Sequence, residues 1–166
     1  MLATRIAKAT MVASLAAFAA IVTYDNIIDY ESNFQFVRHV LSMDTTFPDN
    51  ALRGRAWTEP LVWHLAYALI IAVQGLTALA FAAGAVALAG GLRGGAAALA
   101  QARRYVAIGA TLAFLLWFTG FMVIGGEWFA MWQSKVWNGQ QAAFRFYITV
   151  LAVLLFVHQP EADAAR

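Results

Sequence analysis

The chain has no cysteine, which excludes disulfides, thiolate nucleophiles, cysteine-held iron–sulfur clusters and thiolate metal sites together. Charge is nearly as scarce. Asp, Glu, Lys and Arg make up 12% of the 166 residues, about half the share of a soluble domain. The formal net charge is only +2 and no dense basic run occurs, so the electrostatic footprint of a nucleic-acid partner is missing. No catalytic triad signature, phosphate-cradling glycine loop or HExxH-type metal spacing is present. Any chemistry has to use oxygen or imidazole groups.

What the chain has in abundance is apolar surface. Hydrophobic residues make up 62% of it and its mean hydropathy is +0.66, against about 45–50% apolar content in a soluble domain. The composition predicts an all-α integral membrane protein, a single domain over residues 1–166. A spanning helix needs about 20 mostly apolar residues, and four segments meet that need, at about 6–28, 61–89, 105–125 and 142–157. The predicted architecture is a four-helix membrane bundle.

Thr58 as N-cap, Glu59 in the first turn and Pro60 mark the start of the second span. Gly90, Gly91, Gly94 and Gly95 mark its end. Arg145 lies near the start of the fourth span, where a long side chain snorkels to the interface. Arg5 and Lys8 before an apolar run ending in "AAFAA" also fit a secretory signal peptide; we take the segment as a span or signal anchor. Small residues recur at four-residue spacing in Ala13, Ala16, Ala17 and Ala20, in Ala80 with Gly84, and in Gly109 with Ala113, which permits close helix approach within the bundle.

Lys and Arg near the span ends decide orientation. A cytoplasmic N-terminus puts Arg5, Lys8, Arg93, Arg103, Arg104 and Arg166 inside, and Arg38, Arg53, Arg55, Lys135 and Arg145 outside. The short loop "GGLRGGAAALAQARRY" holds three of the inside arginines, so both termini are expected to be cytoplasmic.

The polar variety of the chain is concentrated in the two outer loops. From Asn33 to Met43, Phe36, Val37, Val40 and Leu41 share one helical face while Gln35, Arg38, His39 and Ser42 share the other. This predicts a short amphipathic extracytoplasmic helix between spans 1 and 2, lying on the interface or capping the bundle. Trp128, Trp132 and Trp137 with Phe129 follow span 3, and Trp57 and Trp63 flank the start of span 2. Tryptophan favours the headgroup level because its ring is apolar and its N–H is not.

Two of these stretches, "SNFQFVRHVLSMDTTF" and "LLWFTGFMVIGGEWFAMWQSKVWNGQQAAFRF", resemble a bacterial family of predicted small integral membrane proteins, a domain of unknown function numbered 2165, over nearly the whole chain. The resemblance implies a four-helix protein of the bacterial inner (cytoplasmic) membrane and carries no catalytic or binding residues with it.

Six ionisable residues fall toward the outer side: Asp25 and Asp29 one turn apart, Arg38 and His39 in the amphipathic helix, His64 at the start of span 2 and Glu127 at the end of span 3. Charges at a membrane boundary mark a site or a structural network. One reading is an outward pocket for a quinone headgroup, cation or proton. The other is an interfacial network that pins the loops. His64 and His158 lie at opposite ends of their spans, about 30 Å apart, and cannot share a haem iron, whereas His39 with His64 can be drawn that way. Gln74, Thr77, Thr111 and Thr119 lie deep in spans 2 and 3, as a path or as interhelical glue. Phe114, Trp117, Phe118 and Phe121 stack on a flat cofactor or pack as ordinary membrane aromatics.

The sequence therefore points first to a non-enzymatic accessory or structural subunit that needs no metal or cofactor. It would bind membrane lipids and another membrane protein, or a second copy of itself, through Phe34, Phe36, Trp128, Trp132 and Trp137. The alternative is a small transporter or a quinone- or lipid-binding protein using the outer polar residues.

Overall fold

The computed structural model describes residues 2–93 and 96–160; Gly94, Gly95 and Arg166 lie outside the described residues. Five α-helices are present: α1 (Leu2–Ile28), α2 (Tyr30–Ser42), α3 (Pro60–Gly90), α4 (Ala96–Phe114) and α5 (Gln140–His158). α4 runs on without a break into a π-helical segment, Leu115–Trp128. α1, α3, α5 and the continuous helix over 98–128 are long and apolar enough to cross a membrane. No more than 28% of the most apolar window of any span is buried in the bundle. The outward faces carry Leu65, Leu69, Leu79, Val86 and Leu155, each over 60% exposed. Soluble proteins rarely expose apolar surface on that scale; hydrocarbon is the solvent that suits these faces.

α3 begins one residue later than the cap signal suggests. Pro60 is its first residue and Glu59 its extended N-cap, with no side-chain cap bond. The residue before a proline is pushed out of the helical region, so Glu59 cannot join the first turn and Thr58 cannot cap it. At the other end Gly91 caps α3 as expected. Between α1 and α2 the chain breaks only at Asp29, whose N–H bonds the Asp25 carbonyl at 2.8 Å.

α1 packs along α3, and α3 along α4, while α5 lies mainly against α4 and the π segment and barely touches α1. Two glycines allow the close α3–α4 contact: a Cβ on Gly84 would stand 2.9 Å from Val106, and one on Gly109 2.8 Å from the Phe81 ring. The small residues of these two spans thus pack inside the bundle. In α1, Ala16 is buried but Ala13, Ala17 and Ala20 face outward. Val12, Phe81, Val106, Ala113, Trp117 and Tyr147 centre the main core.

The end that carries both termini is tied by cations on helix C-terminal carbonyls. Arg5 donates to Gly91 and Leu92 at 3.4 and 3.2 Å, and Lys8, 2% exposed, donates to the Gln159 carbonyl at 3.1 Å. Arg103 reaches the same carbonyl at 3.3 Å. These carbonyls lack intrahelical donors and bear the negative end of the helix dipole, so cations satisfy both needs.

Candidate functional site

The opposite end is closed by a cap, and α2 is its centre. The apolar face of α2 is buried through Phe34, Val37, Val40 and Leu41 against Tyr67, Phe129 and Met131. Met43 ends the helix at φ 52°, with its N–H on the Val40 carbonyl. The two loops are then stitched together. Trp57 N–H donates to the Leu41 carbonyl at 2.8 Å, Phe47 N–H to Gln133 at 3.0 Å, and Thr45 to Ser134 at 2.9 Å. Ser134, 6% exposed, also accepts the N–H of Trp137 at 2.9 Å. Arg55 donates to the Trp128 carbonyl and stacks over that ring at 4.6 Å.

Beneath the cap a buried polar relay joins three helices. Asn26, 4% exposed, donates to Gln74 at 2.6 Å, accepts from Asn33 at 2.7 Å, and its carbonyl accepts from the Tyr67 hydroxyl at 3.2 Å. Gln74 is therefore interhelical glue, since a buried amide in apolar surroundings needs partners. Thr77 satisfies itself on the Val73 carbonyl of its own helix at 2.7 Å. Asn26 as the hub was legible only weakly; its seven-residue spacing to Asn33 is the signal.

The six outer ionisable residues do not gather into one cluster. Asp29 accepts from Ser32 at 2.7 Å, while Asp25 and Glu127 are exposed and their side chains bond no described residue. The four-residue spacing of Asp25 and Asp29 loses its meaning because α1 ends between them. Arg38 lies 5.5 Å over the Trp63 ring and bonds Gln35, with no carboxylate in ion-pair reach among the described residues. His39 holds Asp44 at 2.8 Å and stacks on Trp137. His64 bonds the Tyr30 hydroxyl at 2.9 Å and stacks on Phe34 at 4.2 Å. Burial first, and the Glu31 charge second, push the Tyr30 phenol above its ordinary value. His39 and His64 thus have their Nδ1 atoms engaged in different contacts, and no group of three metal-binding side chains occurs among the described residues.

The aromatic surface residues divide as well. Phe34 is buried, so it belongs to the inside of the cap and offers no docking surface. Phe36 and Trp137 are half-buried and touch each other at 6.2 Å. Trp128 and Trp132 remain about half exposed, at 52% and 50%. Trp57 and Phe47 are exposed beside them.

A half-open cavity of 440 Å³ lies under α2, between α3 and the π segment. Its walls include Val37, Leu41, Ile70, Leu116, Phe121 and Met131, and Thr119 and Gly120 also line it. A π-helix is normally a single-turn bulge and often marks a functional site; here it extends over 14 residues. The wider turn shows in the Phe129 N–H bonding the Ile124 carbonyl five residues back at 3.0 Å. It also changes what a hydroxyl reaches. Ser14, Thr23, Thr77 and Thr149 each bond the carbonyl four residues back at 2.7–2.9 Å, whereas the Thr119 hydroxyl bonds no described residue. A single free donor therefore lines an otherwise hydrocarbon cavity.

Four apolar spans and a stitched cap over one end define a small polytopic membrane protein. The chain belongs to the family of predicted small integral membrane proteins, DUF2165, whose model matches residues 4–160. No curated protein and no solved structure matches it.

Proposed function

We propose that this protein binds the hydrocarbon chain of a membrane lipid or quinone in the cavity beneath its cap, without catalysis and without a resident metal or cofactor. The observation that carries this reading is the 440 Å³ apolar cavity walled by α2 and the π segment. Its size is within the range of about 300–1,000 Å³ typical of small-molecule sites. The Thr119 hydroxyl suits one ester or quinone oxygen of such a ligand. The polar residues named for this role from sequence, Asp25, Asp29, His39 and Glu127, are not its walls.

The test is mild-detergent extraction followed by mass spectrometry of bound lipids and quinones. The expected result is one retained molecule per chain, lost in Gly120→Leu. A Cβ at Gly120 would meet nothing closer than 3.7 Å, so that side chain fills the cavity without clashing. A wild-type chain that retains nothing, or a variant that retains as much, overturns the reading.

A second reading, an accessory subunit docked on another membrane protein or on a second copy, is favoured by the exposed Trp128 and Trp132 beside Phe47. Under it, Trp128→Ala with Trp132→Ala releases a stoichiometric protein partner and leaves lipid retention unchanged. The cations at the end bearing the termini favour a cytoplasmic side there. The cap would then face outward from a bacterial inner membrane.

A further inference from the structure

A second cleft, of 370 Å³, opens where α1 and α5 part. It shares no wall residue with the cavity beneath the cap. Phe18, Phe81, Trp117 and Phe146 form its apolar part, and Ser14, Thr149 and Arg145 add polar atoms. Phe18 packs on Phe146 with ring centroids 4.9 Å apart and on Trp117 at 6.1 Å, which makes a rigid floor.

Arg145 is the unusual member. It lies five residues into α5, about 7 Å along the helix axis, and it is exposed. Its guanidinium meets no carboxylate, carbonyl or ring among the described residues. An arginine in a spanning segment is costly unless paired, and its presence there marks a site by default. Trp117, 4% exposed, likewise donates its indole N–H to no described residue, although a buried tryptophan normally finds an acceptor. The hydroxyl hydrogens of Ser14 and Thr149 are spent on helix carbonyls at 2.9 and 2.7 Å. The cleft thus offers a cation and an N–H donor beside an aromatic slot, with no negative group of its own.

We infer that this cleft holds an acidic phospholipid of the surrounding bilayer, one acyl chain against Phe18 and Phe146 and the phosphate on Arg145. Charge complementarity selects the ligand. Arginine pairs bidentately with phosphate oxygens, and an acidic headgroup supplies the net negative charge that the chain does not. The site is separate from the cavity under the cap and stands whether or not that cavity is filled.

The experiment uses the full chain reconstituted in vesicles of one part phosphatidylglycerol to nine parts phosphatidylcholine, re-extracted in mild detergent, with the retained lipids identified by mass spectrometry. Phosphatidylglycerol is expected to be enriched about tenfold over the bulk ratio, as one charge-assisted contact implies. Arg145→Gln should return the ratio to bulk, and Arg145→Lys should keep part of the enrichment. In parallel, phosphatidylglycerol carrying brominated acyl chains should quench wild-type fluorescence more than brominated phosphatidylcholine does, and Trp117→Phe should remove that difference. If Arg145→Gln does not fold, the lysine variant and the quenching pair decide the matter. Retention at the bulk ratio, equal quenching by both lipids, or recovery of a free fatty acid in place of the phospholipid each overturns the inference.

Discussion

At the end that carries both termini, Arg5, Lys8 and Arg103 each reach across to the carbonyl end of another helix. At the capped end no comparable set of cations holds the helices together. Asn26, Gln74, Asn33 and Tyr67 exchange neutral hydrogen bonds, and aromatic rings stack where the loops cross. The reason lies in which helix termini are exposed. α3 and α5 both finish at the first end, so unsatisfied carbonyls collect there and cations answer them. The capped end receives long loops instead, and loops supply their own donors. One end is held by charge and the other by neutral polar bonds and packing, so the two should respond differently to salt, cavity formation and pH.

The largest effect is expected at the neutral relay. Asn26→Leu leaves Gln74 buried without its donor and Asn33 without its acceptor, a loss of about 1–3 kcal/mol. Thermal unfolding in detergent should fall by about 2–4 °C per kcal/mol for a chain of this size. The double variant with Gln74→Leu should recover part of that loss, because removing both partners is milder than stranding one. An unchanged midpoint in Asn26→Leu would show that packing alone holds the cap.

Next in size is Gly139→Ala. The added Cβ would stand 2.9 Å from Phe36 and 3.1 Å from Phe121, an overpacking cost of about 1–3 kcal/mol. Amide exchange should quicken in 131–139 and stay unchanged in the first turns of α1; spread of the effect to both ends would break the division drawn here.

At the charged end, Arg5→Gln and Arg103→Gln should each cost about 0.3–1 kcal/mol. The informative readout is salt. Screening weakens exposed charge interactions, so added salt should lower the wild-type midpoint and lower that of the double variant less. The smallest effect belongs to Tyr30. Its folded-state value is raised above 10.0, so its contribution is present below that pH and is lost as the phenol ionises at higher pH. Tyr30→Phe should flatten the alkaline limb of a stability-against-pH curve.

Much of this molecule was legible in advance because membrane burial is a composition rule. All four spans came within a few residues of their observed bounds, except that the third begins about seven residues earlier, in a stretch of alanines and arginines whose apolarity is diluted. The amphipathic helix was legible from period alone, and Val37, Val40 and Leu41 are buried as their face required. Phe34 broke the pattern: it lies off that stripe in sequence yet is buried, because α3 presents Tyr67 and His64 to it. The candidate cluster of six charges failed for a related reason. Nearness to the same end of a bundle is not contact, and Asp25, Arg38 and Glu127 project in separate directions from separate elements.

By itself the sequence determined the class, the number of spans, the amphipathic cap and the end where cations gather, because each follows from local hydropathy and periodicity summed along one segment. Only the tertiary structure decided the π turn over Leu115–Trp128, the relay through Asn26, and the two clefts. Those depend on how backbones from different segments approach one another. A helix that widens to suit its neighbours has the same apolar composition as one that does not.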